Sequence, residues 1–110
     1  MEATKKFELT DSTITIDGII LHQIKALKDF SDVEAGDLGG WVEKEDNLSQ
    51  IGNAWVYSNA KVYGDAKIYD DAKVYGNAEI CGYARIDDST MVAGNTKVCG
   101  NEVIRNNANY

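Results

Sequence analysis

The stretch VYSNAKVYGDAKIYDDAKVYGNAEI, residues 56–80, repeats one pattern in six-residue steps, and that period decides the fold. Worked outward from it, the register runs without a gap from Ile51 to the end as ten hexads: IGNAWV, YSNAKV, YGDAKI, YDDAKV, YGNAEI, CGYARI, DDSTMV, AGNTKV, CGNEVI and RNNANY. A short period held this long signals a repeat architecture and is read before individual residues. The sixth position is aliphatic in nine successive hexads, from Val56 through Ile68, Ile80 and Ile86 to Ile104. The fourth is small in most, as at Ala54, Ala60, Ala66, Ala72, Ala78, Ala84, Thr90, Thr96 and Ala108. Positions two apart share one face of a strand, and the residue between them points to the other. Each hexad therefore supplies a short strand such as Ala-Lys-Val-Tyr, followed by a Gly/Asn/Asp pair suited to a corner. A helix is excluded: six is no multiple of about 3.6 residues per turn, and a Gly/Asn/Asp pair in every hexad would break it.

These hexads resemble the hexapeptide-repeat family, and the resemblance covers residues 51–110. It implies an all-β fold, a left-handed parallel β-helix with three hexads per triangular coil and about three coils in all. Residues 18 apart then stack in rungs about 4.8 Å apart. Lys61, Glu79 and Lys97 are expected to form one outward column of alternating charge, and Asp87 to lie beside Arg105. Trp55 stacks beside Lys73 as a cation-π pair, Tyr57 lies under Tyr75, and Tyr63 shares its column with Cys81 and Cys99. Two cysteines are too few for a disulfide framework and lack the spacing of a zinc site, so both read as free thiols. Glu102 breaks the small-residue rule where the last coil opens to solvent, and Tyr110 fills the final aliphatic slot as a lid.

Residues 1–50 differ in kind and read as an N-terminal hairpin and capping segment, packed with the coils into one compact domain. TITIDGIILHQI, residues 13–24, places β-branched residues around Asp17-Gly18, a pair suited to a type I′ hairpin turn. DFSDVEAGDLGGWVEKEDN, residues 29–47, reads as a loop anchored by Phe30, Leu38 and Trp41. Its expected role is a cap on the first open rung that blocks edge-to-edge polymerisation. The arrangement IKALKDF…GDLGGWVEKEDNLS ahead of the hexads also resembles a group of small proteins of bacteriophages and prophages. That resemblance spans nearly the whole chain and carries little functional assignment.

Charge is unevenly divided: the chain carries a formal net charge of −7, and residues 1–50 hold 5 basic and 11 acidic side chains. Asp29, Asp32, Glu34, Asp37, Glu43, Glu45 and Asp46 crowd one segment against Lys44. An acidic face of this kind keeps a short stack dispersed and attracts a basic partner. Direct nucleic-acid binding is not expected, because phosphate contacts need a basic patch. No stretch approaches the roughly 18 apolar residues of a membrane span, and the start MEATKKFELTD lacks the apolar core of a signal peptide. The chain therefore reads as cytoplasmic with no membrane partner.

Chemistry finds little footing. Hexapeptide-repeat proteins include acyltransferases with a coil histidine as base and carbonic anhydrases with a histidine-held metal. This chain has a single histidine, His22, in the hairpin rather than the coils. No catalytic residue, metal or cofactor is assigned from the sequence. Asp70, Asp71, Asp87 and Asp88 read as corner or outward residues. The cysteines sit in a slot otherwise filled by tyrosine. What remains is aromatic: Trp55, Tyr57, Tyr63, Tyr69 and Tyr75 outside the coil, with Tyr83 at a corner, are the expected oligomer or partner interface. Many hexapeptide-repeat proteins assemble as trimers, so a homo-oligomer is implied by the same resemblance.

Three functions compete on this reading. The first is a non-catalytic protein-binding module, an inhibitor encoded by a phage that blocks a host defence protein by occlusion or acidic nucleic-acid mimicry. The second is an acyltransferase-like enzyme with its pocket between subunits, and the third a self-assembling structural protein like the bactofilins.

Overall fold

A computed structural model of the chain describes residues 5–101, 103 and 104. Arg105, Ala108 and Tyr110, along with Glu102, lie outside the described residues, so the expected Asp87–Arg105 pair, the Glu102 exception and the Tyr110 lid do too. Two long strands open the chain, β1 (Phe7–Ile16) and β2 (Ile19–Ala26), followed by β3 (Leu38–Val42) and a 3-10 turn at Glu45–Asn47. Nine two-residue strands follow at hexad spacing: β4 (Trp55–Val56), β5 (Lys61–Val62), β6 (Lys67–Ile68), β7 (Lys73–Val74), β8 (Glu79–Ile80), β9 (Arg85–Ile86), β10 (Met91–Val92), β11 (Lys97–Val98) and β12 (Val103–Ile104). No helix among the described residues is long and apolar enough to cross a membrane.

The strands stack in parallel every third hexad and make the three walls of a β-helix. One wall runs β4-β7-β10, another β6-β9-β12, and the third β5-β8-β11. The predicted register holds: Lys61 pairs with Glu79, and Glu79 with Lys97. Each rung is tied to the next by backbone bonds such as Lys61 N–H to the Ala78 carbonyl at 2.9 Å and Tyr63 N–H to that of Ile80 at 2.9 Å. The interior follows from the two inward positions. Ala54, Ala60, Ala66, Ala72, Ala78 and Ala84 are fully buried, as are Val56, Val62, Ile68, Val74, Ile80, Ile86 and Val92. Small residues next to each corner leave room for the aliphatic columns to fill the prism at interior density.

Corners are turned by positive φ. Gly64, Gly76, Gly82, Gly94 and Gly100 take it without steric cost, and Asp70 (φ 58°) and Asp88 (φ 53°) take it at the expected Asp corners. At Gly82 a side chain would also meet the Gly100 backbone nitrogen at 2.6 Å. Rung spacing therefore demands glycine there as well.

The hairpin is as predicted, with Ile16 opposite Ile19 and Asp17 and Gly18 both at positive φ. It does not sit apart from the coils. β2 pairs antiparallel with β3, and β3 pairs parallel with β5, Trp41 against Lys61 and Val42 against Val62. The hairpin thus extends one wall into a six-stranded sheet. Parallel stacking starts before Ile51, because Leu48 also bridges Ile68. Leu48 and Val56 are eight positions apart rather than six, which hides this first turn from a hexad search. Gly40 fills the small slot of that turn: its Cα lies so close to the next rung that a Cβ would meet the Ala60 carbonyl oxygen at 2.5 Å.

Phe7, Ile24, Ala26 and Val33 join the buried cluster that includes Val42, Leu48, Trp55 and Val56. Two polar side chains replace the missing rung. Lys6, fully buried, donates from Nζ to the Ala54 carbonyl at 2.7 Å. Asn47, also fully buried, donates to the carbonyls of Gly64 at 3.2 Å and Ala66 at 2.9 Å, where backbone N–H groups would lie in a complete coil.

Three expectations are corrected. Leu38 is exposed rather than an anchor, because it lies on the outer face of β3. Residues 38–42 of the supposed loop are a strand. Cys81 and Cys99 are joined in a disulfide with Cα atoms 4.5 Å apart, since rung stacking places equivalent outward positions within bridging distance.

Candidate functional site

The acidic segment forms the rim of the cap, and most of its carboxylates are held by internal bonds. Asp29 accepts from Ala35 N–H at 2.8 Å and Asp37 from Glu34 N–H at 3.0 Å. Glu43 accepts from Gly64 N–H at 2.8 Å, and Glu45 from Gln50 Nε2 at 2.9 Å and from Lys5. Asp32, at the tip of the tight Phe30–Val33 turn, accepts from the Tyr57 hydroxyl at 2.6 Å and lies 3.8 Å from Lys73 Nζ. The hydrogen bond from Tyr57, aided by Lys73, holds the Asp32 carboxyl below its ordinary range. Glu34 and Asp46 are exposed. The seven acids are thus spread along the cap edge rather than gathered in one pocket.

The aromatic residues separate into buried and open sets. Trp55, expected as an exposed anchor, is only 2% exposed. The cap folds over it, with Phe7 and Phe30 edge-on to its ring at 6.3 Å and 5.3 Å between centroids. Trp55 and Lys73 are register partners as expected, but the cation set over a ring is Lys6, 5.0 Å from the Phe30 centroid. Tyr63 is also buried at 8% exposure, its hydroxyl donating to Glu79 at 3.1 Å. Tyr69 is half-buried at another corner. Tyr57 and Tyr75 stack as predicted, centroids 6.1 Å apart and rings nearly perpendicular. Burial first, then the bond to Asp32, raises the Tyr57 hydroxyl well above the ordinary phenol range.

Asp32, Tyr57 and Tyr75, with Lys73 and Met91, line a cleft of about 260 Å³ where cap loop meets coil. Lys73 and Met91 are members the sequence reading missed. Their signal was the 18-residue stacking itself, which makes them register partners on β7 and β10. Tyr75 and Met91 are 38% and 39% exposed, so the cleft floor is open to a partner.

His22 lies on β2, its Nδ1 3.0 Å from the Thr10 carbonyl oxygen. Asp70, Asp87 and Asp88 bring ligand oxygens within 4.8 Å of one another, a spacing that would admit a cation. Asp70 also accepts from Asp88 N–H at 3.1 Å, so the acids brace the corner. Asp87, expected to point outward, is buried at 7% exposure.

No protein-family model matches the chain. It is 51% identical over 39 residues to the protein described as the uncharacterized acetyltransferase YdcK of Escherichia coli (strain K12). The match takes in 36% of this chain and 12% of that protein, so the chain spans a small part of the relative's length. Together with the stacked coils, it fits a hexapeptide-repeat β-helix.

Proposed function

We propose that the chain is a non-catalytic protein-binding module whose contact face is the cleft between cap loop and coil, flanked by the acidic cap edge. The supporting observation is the fixation of that face by Asp32, bonded to Tyr57 at 2.6 Å and close to Lys73. Groups already held in place lose little entropy on binding. Carboxylates that accept internal hydrogen bonds stay ionised and oriented, so the cap presents a fixed negative field. The partner is a host protein with a basic surface, and binding inhibits it by occlusion or by imitating the charge of a nucleic acid, the role of a phage inhibitor. Homo-oligomers of the coil belong to the same proposal and are tested by light-scattering mass in solution; a monomer at all concentrations would remove them.

Charge reversal at Glu34 and Asp46 tests the module, because both are exposed and neither holds the cap together as Glu43 does. A partner captured from host lysate by wild type and released by salt should be lost with Glu34→Lys/Asp46→Lys, while circular dichroism stays unchanged. Equal capture by the variant would refute the acidic face.

A second reading, acyl transfer from coenzyme A, is favoured by the match to an acetyltransferase. It requires saturable coenzyme A binding in calorimetry, and its absence would end that reading.

A further inference from the structure

Among the described residues, the outward positions of the paired two-residue strands avoid like charges except at one place. Lys61, Glu79 and Lys97 alternate in sign on one wall. Lys73 stands between Trp55 and Met91 on a second. On the third, Lys67 and Arg85 are direct register partners on β6 and β9. Like charges opposite one another on paired strands are destabilising. Both side chains are exposed, and neither enters a salt bridge among the described residues. In a chain of net charge −7, two adjacent cations on paired strands, neither held in a salt bridge, are not a requirement of the fold.

They open onto a second cleft of about 220 Å³, which also takes in Lys44, Asp46, Asp65 and Tyr83. Lys44 is committed to Asp65 at 2.7 Å, and the same carboxylate also attracts Lys67, so Arg85, with Lys67 beside it, is the cation placed to receive an anion. Tyr83, at 63% exposure, presents an open ring at the same cleft. Asp46 supplies an acceptor there. These are complementary to three parts of one ligand class. An arginine fork and an ammonium suit a phosphoryl group. An exposed aromatic ring suits stacking by a planar base. A carboxylate suits sugar hydroxyls, as in dinucleotide sites.

We propose that this cleft binds a small nucleoside phosphate, with the phosphoryl group between Lys67 and Arg85, the base on Tyr83 and the ribose at Asp46. The site lies on a different wall from the Asp32–Tyr57 cleft and shares Asp46 alone with the acidic cap edge, so Lys67, Arg85 and Tyr83 test it separately from the protein-binding module. The acidic cap nearby repels an extended polyanion, which limits the ligand to one nucleotide rather than a strand.

Calorimetric titration of the whole chain with adenosine monophosphate, inorganic phosphate and adenosine tests the assignment. The monophosphate should saturate and bind more tightly than either fragment. Arg85→Gln and Lys67→Gln should each weaken it by about tenfold, as expected for a charge-assisted bond. Tyr83→Ala should weaken the monophosphate and leave phosphate unaffected. All three positions are exposed, so unchanged circular dichroism is expected to accompany the losses. A readout without ligand is Arg85→Glu, which restores alternation and should raise the thermal midpoint in phosphate-free, low-salt buffer. Absence of saturable binding, an affinity unchanged in Arg85→Gln, or tighter binding of a short single-stranded oligonucleotide would overturn the proposal.

Discussion

The Tyr57 hydroxyl donates a 2.6 Å hydrogen bond to the carboxylate of Asp32, 25 residues earlier, and so fastens the tip of the cap loop to the coil. Tyr57→Phe keeps the ring stacked on Tyr75 and removes the bond alone. The Asp32 carboxyl should titrate closer to its ordinary value, seen by NMR. Stability should fall by about 1 kcal/mol at most, because Asp32 faces solvent. An unchanged Asp32 titration would show that the bond does not form in solution.

Asn47 stands in for a missing strand. Its amide donates to Gly64 and Ala66, and its oxygen accepts from Glu43 and Lys44 N–H at 3.1 Å and 2.9 Å. Asn47→Asp preserves shape but sets a carboxylate against two carbonyls. Denaturant unfolding should show a loss of about 2 to 5 kcal/mol, the range for an unpaired buried charge. A loss under about 1 kcal/mol would mean the end of the coil is hydrated instead.

Lys6 makes stability depend on pH. Burial, then Lys28, lowers its ammonium from 10.5 to about 8, with Asp71 acting in the opposite sense. Between those values the unfolded chain binds more protons, so stability rises with pH across that window. Measured against Lys6→Met, wild type should gain about 2 kcal/mol between about pH 7 and about pH 9.5. The comparison stops there because the raised hydroxyls of Tyr57 and Tyr63 withdraw stability as pH climbs past the ordinary phenol value. Parallel curves for the two proteins would contradict a depressed Lys6.

The Cys81–Cys99 disulfide spans 18 residues, one full coil, and links the second complete rung to the third. By loop-closure entropy it contributes about 3 kcal/mol. Reduction should lower the thermal midpoint and speed exchange of the Tyr83 amide, which bonds to the Gly100 carbonyl across the same rungs. Cys99→Ser should reproduce the effect without reductant. No change in either measurement would make the bridge incidental to the fold.

Gly40→Ala tests the seam between cap and coil. The added methyl would meet the Ala60 carbonyl oxygen at 2.5 Å and Val56 Cγ1 at 2.7 Å, and that carbonyl also receives Trp41 N–H at 3.0 Å. Overpacking of this kind should cost about 1 to 3 kcal/mol in denaturant unfolding. A neutral result would mean that β3 does not approach β5 so closely.

The fold was legible because the hexad repeat is local and its consequences are periodic: the inward columns, the Lys61-Glu79-Lys97 stack, the Tyr57–Tyr75 pair and the Asp17-Gly18 turn all follow from spacing. What the repeat could not report is which outward positions another segment covers. Trp55 occupies an outward slot by register yet is buried, because Phe7 and Phe30 come from residues with no hexad phase. Lys6 and Asn47 look like ordinary surface residues until the open rung they bond to is located. The disulfide follows from the 18-residue stacking that puts Cys81 and Cys99 in one column, whereas the number and sequence spacing of the cysteines point to free thiols. Of the candidate site, the Asp32 and tyrosine members were readable separately, and their meeting required the path of the cap loop.

Native-state hydrogen exchange tests the central claim, that cap and coil form one cooperative body whose junction makes the functional face. The amides of Ala26 and Trp41, bonded to the carbonyls of Asp37 and Ala60, should open with the same free energy as those of Tyr57 and Lys61 in the coil. Rapid exchange at Ala26 and Trp41 while Tyr57 and Lys61 remain protected would contradict it, because the Asp32–Tyr57 cleft would then not be a fixed surface.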